Sequence, residues 1–342
     1  MRILVGISGG VDSAFAAKKL LDEGHSVEGA VLRMHEYTEI DAAREAAESV
    51  GIRLHEIDCT EDFNIIKENF VSEYAAGRTP NPCIICNERV KFARLYKFAV
   101  DNGFDAIATG HYARVTIVGE GENRRFALGI AEDTRKDQTY MLYRLPQEIL
   151  SMLVLPLSDG RKTEIRKMAE EQGISSAKRE DSQEICFLPD GNYTDYIESV
   201  AGKCPEGDFI DNNGNVIGRH KGIIHYTVGQ RKGLGISLGS RAFVTDIDHE
   251  NNTVTLSSEA WGSREVRLNN MVYSGMTPPK ETVKADLLVK LRYTAPLVKT
   301  TAELYPDGSA LLRFDDPVKN APGQSAVLYR EGVVMCGGFI VK

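Results

Sequence analysis

Three groups of residues in this chain have the types and spacing that chemistry needs. The first is Gly6-Ile7-Ser8-Gly9-Gly10-Val11-Asp12-Ser13. A Gly-rich turn between a strand and a helix aims unpaired N–H groups and the positive helix end at one point, so it can hold an anion. No Lys follows the glycines, which separates the stretch from Gly-x-x-x-x-Gly-Lys-Ser/Thr. Without that Lys the loop can grip the pyrophosphate half of ATP and leave the α-phosphate open to attack. That geometry suits adenylation, with pyrophosphate leaving. Asp12 either caps the helix or helps place Mg2+; beside a pyrophosphate the second reading is preferred.

The second group is Cys83-Ile84-Ile85-Cys86, after Asn81-Pro82, with Cys186 as the natural third thiol in another polar loop. A C-x-x-C near βαβ units can be a redox pair, but such a pair normally opens a helix, and here it ends a Pro-bearing loop. Zinc wants four ligands, and there is no second C-x-x-C. Three thiolates can hold a [4Fe–4S] cluster with one iron free. Cys59, Cys204 and Cys336 read as structural. The third group is more scattered: His111 at a sheet edge, and Arg292-Tyr293, which either meets a phosphate and a base or ends an exposed strand.

The elements that must position these residues follow from hydrophobic period. Ile3 to Ile7 is a buried parallel strand and Ala14 to Leu21 a helix closed near Gly24. Strands at 27–32, 54–58 and 106–109 alternate with helices at 41–50, 61–74 and 90–100. Such alternation predicts a doubly wound parallel sheet, with ligands beyond the C-terminal strand ends. The Ser8–Ser13 loop, Met34 and Gly110 fall at that edge. Residues 114–129 read as a hairpin, Lys136-Asp137-Gln138 opens a helix, and Thr163 to Gln172 is another. From about residue 200 glycine becomes frequent and short strands replace helices. The expected architecture is α/β: a catalytic domain over 1–199, a small linking domain over 200–262 and a β-barrel over 263–342.

At 342 residues the chain is long enough for two or three domains. No run approaches the roughly 18 apolar residues of a membrane helix, and the N-terminus lacks the pattern of a targeting segment. The expectation is a cytoplasmic protein with no membrane partner, its six cysteines mostly reduced. A net charge of −8 argues against non-specific nucleic-acid binding. Arg161, Lys162, Arg166, Lys167, Lys178 and Arg179 form a local basic patch that, taken alone, reads as a solvated helix face.

Ser8 to Ser13 resembles the PP-loop of the N-type ATP pyrophosphatases. A larger set resembles the tRNA-specific 2-thiouridylase family over essentially the whole chain. It comprises the PP-loop, Thr79-Pro80-Asn81-Pro82 with Cys86-Asn87, Gly110-His111-Tyr112-Ala113, Lys136-Asp137-Gln138, Asp181-Ser182-Gln183 with Cys186-Phe187, and Tyr226-Thr227-Val228-Gly229-Gln230-Arg231. The resemblance implies sulfur transfer to C2 of the wobble uridine of tRNA after adenylation of O2. It implies ATP and Mg2+ at Gly6 to Ser13, Met34 and Gly110. Cys86 corresponds to the nucleophile and Cys186 to a persulfide-carrying cysteine, with a Cys86–Cys186 disulfide to be reduced after each turnover. Asn81, Pro82 and Cys83 correspond to contacts with the target base, and His111, Lys136, Asp137, Gln138, Arg292, Tyr293 and Gln324 to contacts with tRNA. The sulfur donor is a sulfur-carrier protein, a cysteine desulfurase or sulfide. Many members carry Asp where this chain has Cys83. Some relatives with the C-x-x-C variant, and other tRNA thiolases, use a [4Fe–4S] cluster on three cysteines, which the resemblance places here on Cys83, Cys86 and Cys186, and this cluster route is the expectation. The alternatives are a GMP-synthetase-like enzyme and a non-catalytic tRNA-binding protein.

Overall fold

A computed structural model describes residues 1–179, 185–188, 191–236, 242–258 and 262–342. The first half alternates β1 (Arg2–Gly6), α1 (Val11–Asp22), β2 (Ser26–Arg33), α2 (Ile40–Val50), β3 (Leu54–Asp58) and α3 (Thr60–Ala75). A second helical run holds α4 (Pro82–Cys86), a π-helical turn (Asn87–Lys91) and α5 (Phe92–Asp101). Then come β4 (Ala106–Ala108), the hairpin β5 (Arg114–Val118) and β6 (Arg125–Gly129), α6 (Thr139–Leu142), α7 (Gln147–Met152), β7 (Leu153–Val154) and α8 (Lys162–Glu171).

The parallel sheet has the order β3-β2-β1-β4-β7. Ile3, Leu4 and Val5 are fully buried, as a central strand covered on both faces requires. Ile3 and Val5 pack with α1, α2 and α8, whereas Leu4 faces Ile84, Phe92 and Leu95 of the other layer. From β1 the chain moves out to β2 and β3, then returns to β4 on the opposite side. The crevice at that reversal, above the C-terminal ends of β1 and β4, is where such sheets bind ligands.

The second module contains α9 (Tyr193–Ala201), β8 (Gly207–Ile210), β9 (Val216–His220), β10 (Phe243–Asp248) and β11 (Thr253–Ser257), in the sheet order β10-β11-β8-β9. It does not hang on a free linker. Phe63 and Phe70 of α3, Phe187, and Phe209 and Val244 of the small sheet share one core.

The last module contains β12 (Ser263–Tyr273), β13 (Val283–Lys290), β14 (Val298–Leu304), β15 (Ala310–Val318), β16 (Ser325–Arg330) and β17 (Val333–Val341). Antiparallel pairing in the order β12-β15-β14-β13-β16-β17, with β12 also paired to β17, closes a six-stranded barrel. The hairpin at 114–129 forms as its sequence predicts, but it joins the barrel: Gly129 of β6 pairs with Val333 of β17. Among the described residues no helix is long and apolar enough to cross a membrane.

Candidate active site at the carboxyl edge of the parallel sheet

The PP-loop leaves β1 at Gly6 and folds back on itself. The Ser8 N–H donates to Ser13 Oγ (3.1 Å), and Ser13 Oγ donates to the Gly10 carbonyl (2.9 Å). Gly9 has φ +80°, and a Cβ there would lie 2.8 Å from Ala42 Cβ. This closed turn delivers the chain into α1 at Val11, where the first-turn N–H groups have no intrahelical partner. Gly110 presses on the same turn. A Cβ on it would lie 2.5 Å from the Asp12 carbonyl carbon and 2.6 Å from the Ser13 nitrogen. The glycine is therefore set by close backbone approach.

Asp12 sits in a relay of side chains. Its Oδ1 accepts from the Tyr112 hydroxyl (2.8 Å) and its Oδ2 from Lys162 Nζ (2.6 Å). Gln138 steadies Tyr112, accepting from its N–H through Oε1 (2.8 Å) and donating to its carbonyl through the backbone (2.7 Å). The basic patch is thus not simply a solvated face. Lys162 is 7% exposed, and Arg179 turns toward the loop, with Nη1 donating to the Gly9 carbonyl (3.4 Å) and Nη2 pairing with Glu39 (2.9 Å).

The cysteines lie along the same edge. The C-x-x-C opens a helix rather than ending a loop, because Asn81 caps α4 through its side chain on the Cys83 N–H (3.2 Å) and Pro82 takes the first turn. Cys83 and Cys186 are accessible and Cys86 is buried. Cys86 Sγ contacts Met34 Sδ at 3.8 Å, just past the end of β2. Burial first of all, with smaller contributions from the neighbouring thiols Cys186 and Cys83 and against the opposing pull of Lys91, pushes the Cys86 thiol up to about 12. Cys83 and Cys186 keep accessible surface but are ringed by protein that displaces water, which raises both thiols; Cys83 raises Cys186 further, and Lys91 again pulls both down. The three thiols and Lys91 therefore share one electrostatic environment. Among the described residues no three His, Cys, Asp or Glu side chains stand as a group that could hold a metal ion. The ligand set expected for a [4Fe–4S] cluster on Cys83, Cys86 and Cys186 is not assembled in this arrangement.

The comparisons with known proteins fall on this framework. Residues 1–190 match the family described as tRNA methyl transferase HUP domain, 194–258 its PRC-barrel domain, and 263–340 an aminomethyltransferase beta-barrel domain. The tRNA-specific 2-thiouridylase MnmA of Treponema denticola is 41% identical, over 99% of this chain and 98% of the relative. Those of Lachnoclostridium phytofermentans (100% and 99% covered) and Acetivibrio thermocellus (99% and 99%) are each 39% identical. The chain belongs to the tRNA-specific 2-thiouridylase family.

The remaining positions that the resemblance to 2-thiouridylases singled out have distinct places. His111 lies against Phe92 (ring centroids 5.4 Å apart) with Nδ1 at 2.8 Å from Thr109 Oγ1; burial first, and then Lys91, hold it down to about 3, so it is neutral at pH 7. Asp137 is buried, accepting from the Ala131 N–H (3.2 Å) and Thr139 Oγ1 (2.6 Å), so its carboxylate braces the loop that carries Lys136 and Gln138. Gln324 donates from Nε2 to the Thr79 carbonyl (2.7 Å), tying the barrel to the segment before the C-x-x-C. Arg292 donates to the Val228 carbonyl (2.9 Å) and lines a cavity of 580 Å³ with Gln230, Arg231 and Lys232, while Tyr293 lies against Tyr140. Asp181, Ser182 and Gln183 lie outside the described residues. Lys162 and Lys91 were not singled out as site residues from sequence, although both face the candidate site.

Proposed function

We propose that this protein catalyses ATP-dependent 2-thiolation of the wobble uridine of tRNA. The observation that carries this reading is one shared sheet edge. It holds a lysine-free PP-loop after β1 and, touching Met34 after β2, a thiol set that includes Cys86. The full-length relatives named 2-thiouridylases support the same chemistry. The descriptions of the family matches speak of methyl transfer, whereas the full-length relatives are named for thiolation.

ATP uses the first half of the edge. The cradle of first-turn N–H groups holds the pyrophosphate portion, and uridine O2 attacks the α-phosphorus, so the oxygen leaves later as AMP. Asp12 is the carboxylate that would help hold Mg2+, which supplies charge neutralisation of the phosphates when bound. Asn81, Pro82 and Cys83 are placed beside the thiols to meet the base, which must be turned out of its stack to reach them. His111, Lys136, Gln138, Arg292, Tyr293 and Gln324 mark the path of the RNA; Asp137 supports it from within.

Sulfur uses the second half. With Cys186 carrying a persulfide, the Cys86 thiolate attacks the Cys186 sulfur. A Cys86–Cys186 bond forms, the persulfide S–S bond breaks, and hydrosulfide is released. Hydrosulfide adds to C2, AMP leaves, and a dithiol reductant restores the two thiols. This route needs only Cys86 and Cys186; a [4Fe–4S] cluster on Cys83, Cys86 and Cys186 is the other route that the same thiols would serve, and no step here passes through it.

The test is thiolation of tRNA by iron-free protein with ATP, Mg2+ and a persulfide donor, read by mass spectrometry of the uridine. Full turnover, retained in part by Cys83→Asp, is expected. Dependence on reconstituted iron, with loss in Cys83→Asp, would overturn the persulfide route. No sulfur incorporation under either condition would overturn the function itself.

A further inference from the structure

The PP-loop has no lysine of its own, yet an ammonium lies at it. Lys162 Nζ is 2.6 Å from Asp12 Oδ2 across 150 residues of chain, and 5.9 Å from the Tyr112 ring centroid. The residue is the first of α8, and its backbone N–H donates to Asp133 Oδ2 (3.3 Å). Ile165 and Ala169 of the same helix anchor it in the core that contains Val11 and Ala14 of α1. Withdrawing an ammonium from water costs several kcal/mol unless it is paired, and this one is paired at the first turn of α1, where the anion cradle opens. Arg179 flanks the other side of the loop at the Gly9 carbonyl.

We propose that Lys162 is the phosphate-gripping cation of the nucleotide site, held by Asp12 until the pyrophosphate portion of ATP arrives. The inference depends on the nucleotide reading given above. Polyphosphate presents more negative charge than one carboxylate. The ammonium therefore transfers from Asp12 to the phosphate oxygens, and Asp12 is released as the carboxylate that would help hold Mg2+. The function that a P-loop lysine performs from within its loop is here delivered by a distant helix, and the leaving pyrophosphate is the species it stabilises.

A double-mutant cycle on the full-length protein tests this, using inorganic pyrophosphate in titration calorimetry with and without Mg2+. Lys162→Met is expected to weaken pyrophosphate binding by about 10- to 100-fold, the loss of a charge-assisted contact. Asp12→Asn removes the competing carboxylate and is expected to tighten metal-free binding. The double variant is expected to bind as weakly as Lys162→Met, and its thermal melt verifies folding. Recovery of wild-type affinity in the double variant would show that Lys162 merely neutralises Asp12, and would overturn the proposal. Wild-type protein that binds neither ATP nor pyrophosphate would overturn the nucleotide reading, and the proposal with it.

Discussion

The two halves of the sheet edge are prepared in opposite ways. At the nucleotide half, Asp12, Lys162 and Arg179 each have a charged partner within hydrogen-bond distance, and Tyr112 and Gln138 hold the carboxylate in register. At the sulfur half, all three thiols are pushed toward their protonated forms, and Lys91 is the cation that opposes this. A paired ionic site is ready before its ligand arrives. A protonated thiol is a poor nucleophile until something takes its proton. The contrast separates two kinds of preparation: the nucleotide half carries its charges in advance, whereas the thiols need a proton acceptor before they attack.

Breaking one half while sparing the other gives the largest effect. Cys86→Ser is expected to lower thiolation by at least about 1000-fold, as removal of a nucleophile does, while ATP binding measured by calorimetry stays at the wild-type level. Weaker ATP binding in that variant would show the halves to be coupled. Gly110→Ala attacks the other half. The added Cβ meets backbone at 2.5 Å, so the start of α1 must shift. The variant should lose about 1–3 kcal/mol of stability and bind ATP about 10- to 100-fold more weakly, with Cys86 alkylation unchanged. Lys91→Met has the smallest effect. Removing the cation that lowers all three thiols raises them further, so their alkylation profile moves to more alkaline pH, with rates falling by less than about tenfold at a fixed pH. The same change relieves His111, whose NMR titration should move up from about 3. An unshifted profile would remove Lys91 from the thiol pocket.

The nucleotide half was legible because strand, loop and helix are contiguous from Ile3 to Leu21, and each element shows its own period. Lys162 was not, because its partner is 150 residues away. Arg161, Arg166 and Lys167 around it made the helix look solvated. The signal was nonetheless there: Lys162, Ile165 and Ala169 fall at i, i+3 and i+7 on the buried stripe of α8. Lys91 was hidden by the π-helical turn, which breaks the 3.6-residue register between Cys86 and Phe92. The N-cap of Asn81 carries an ordinary sequence signal, but two prolines within three residues masked it. Seating of β6 against β17 could not be read locally, since a sheet edge does not encode which distant strand will meet it.

That seating and its neighbours bear on how the protein is made. Tyr140 donates to the Ser325 carbonyl (2.9 Å), Tyr143 meets Ser325 Oγ (3.0 Å), and Val327, Tyr329 and Val334 complete the same apolar core as Leu4 and Phe92. During synthesis, N-terminal segments emerge first at about 5–20 residues per second. The layer of β4 and α5 must therefore wait, with its aromatic face uncovered, until residues 325–334 leave the ribosome. A premature stop in the barrel would remove a wall of the core beside the parallel sheet as well as the barrel itself, leaving a chain for chaperones to hold rather than a smaller enzyme.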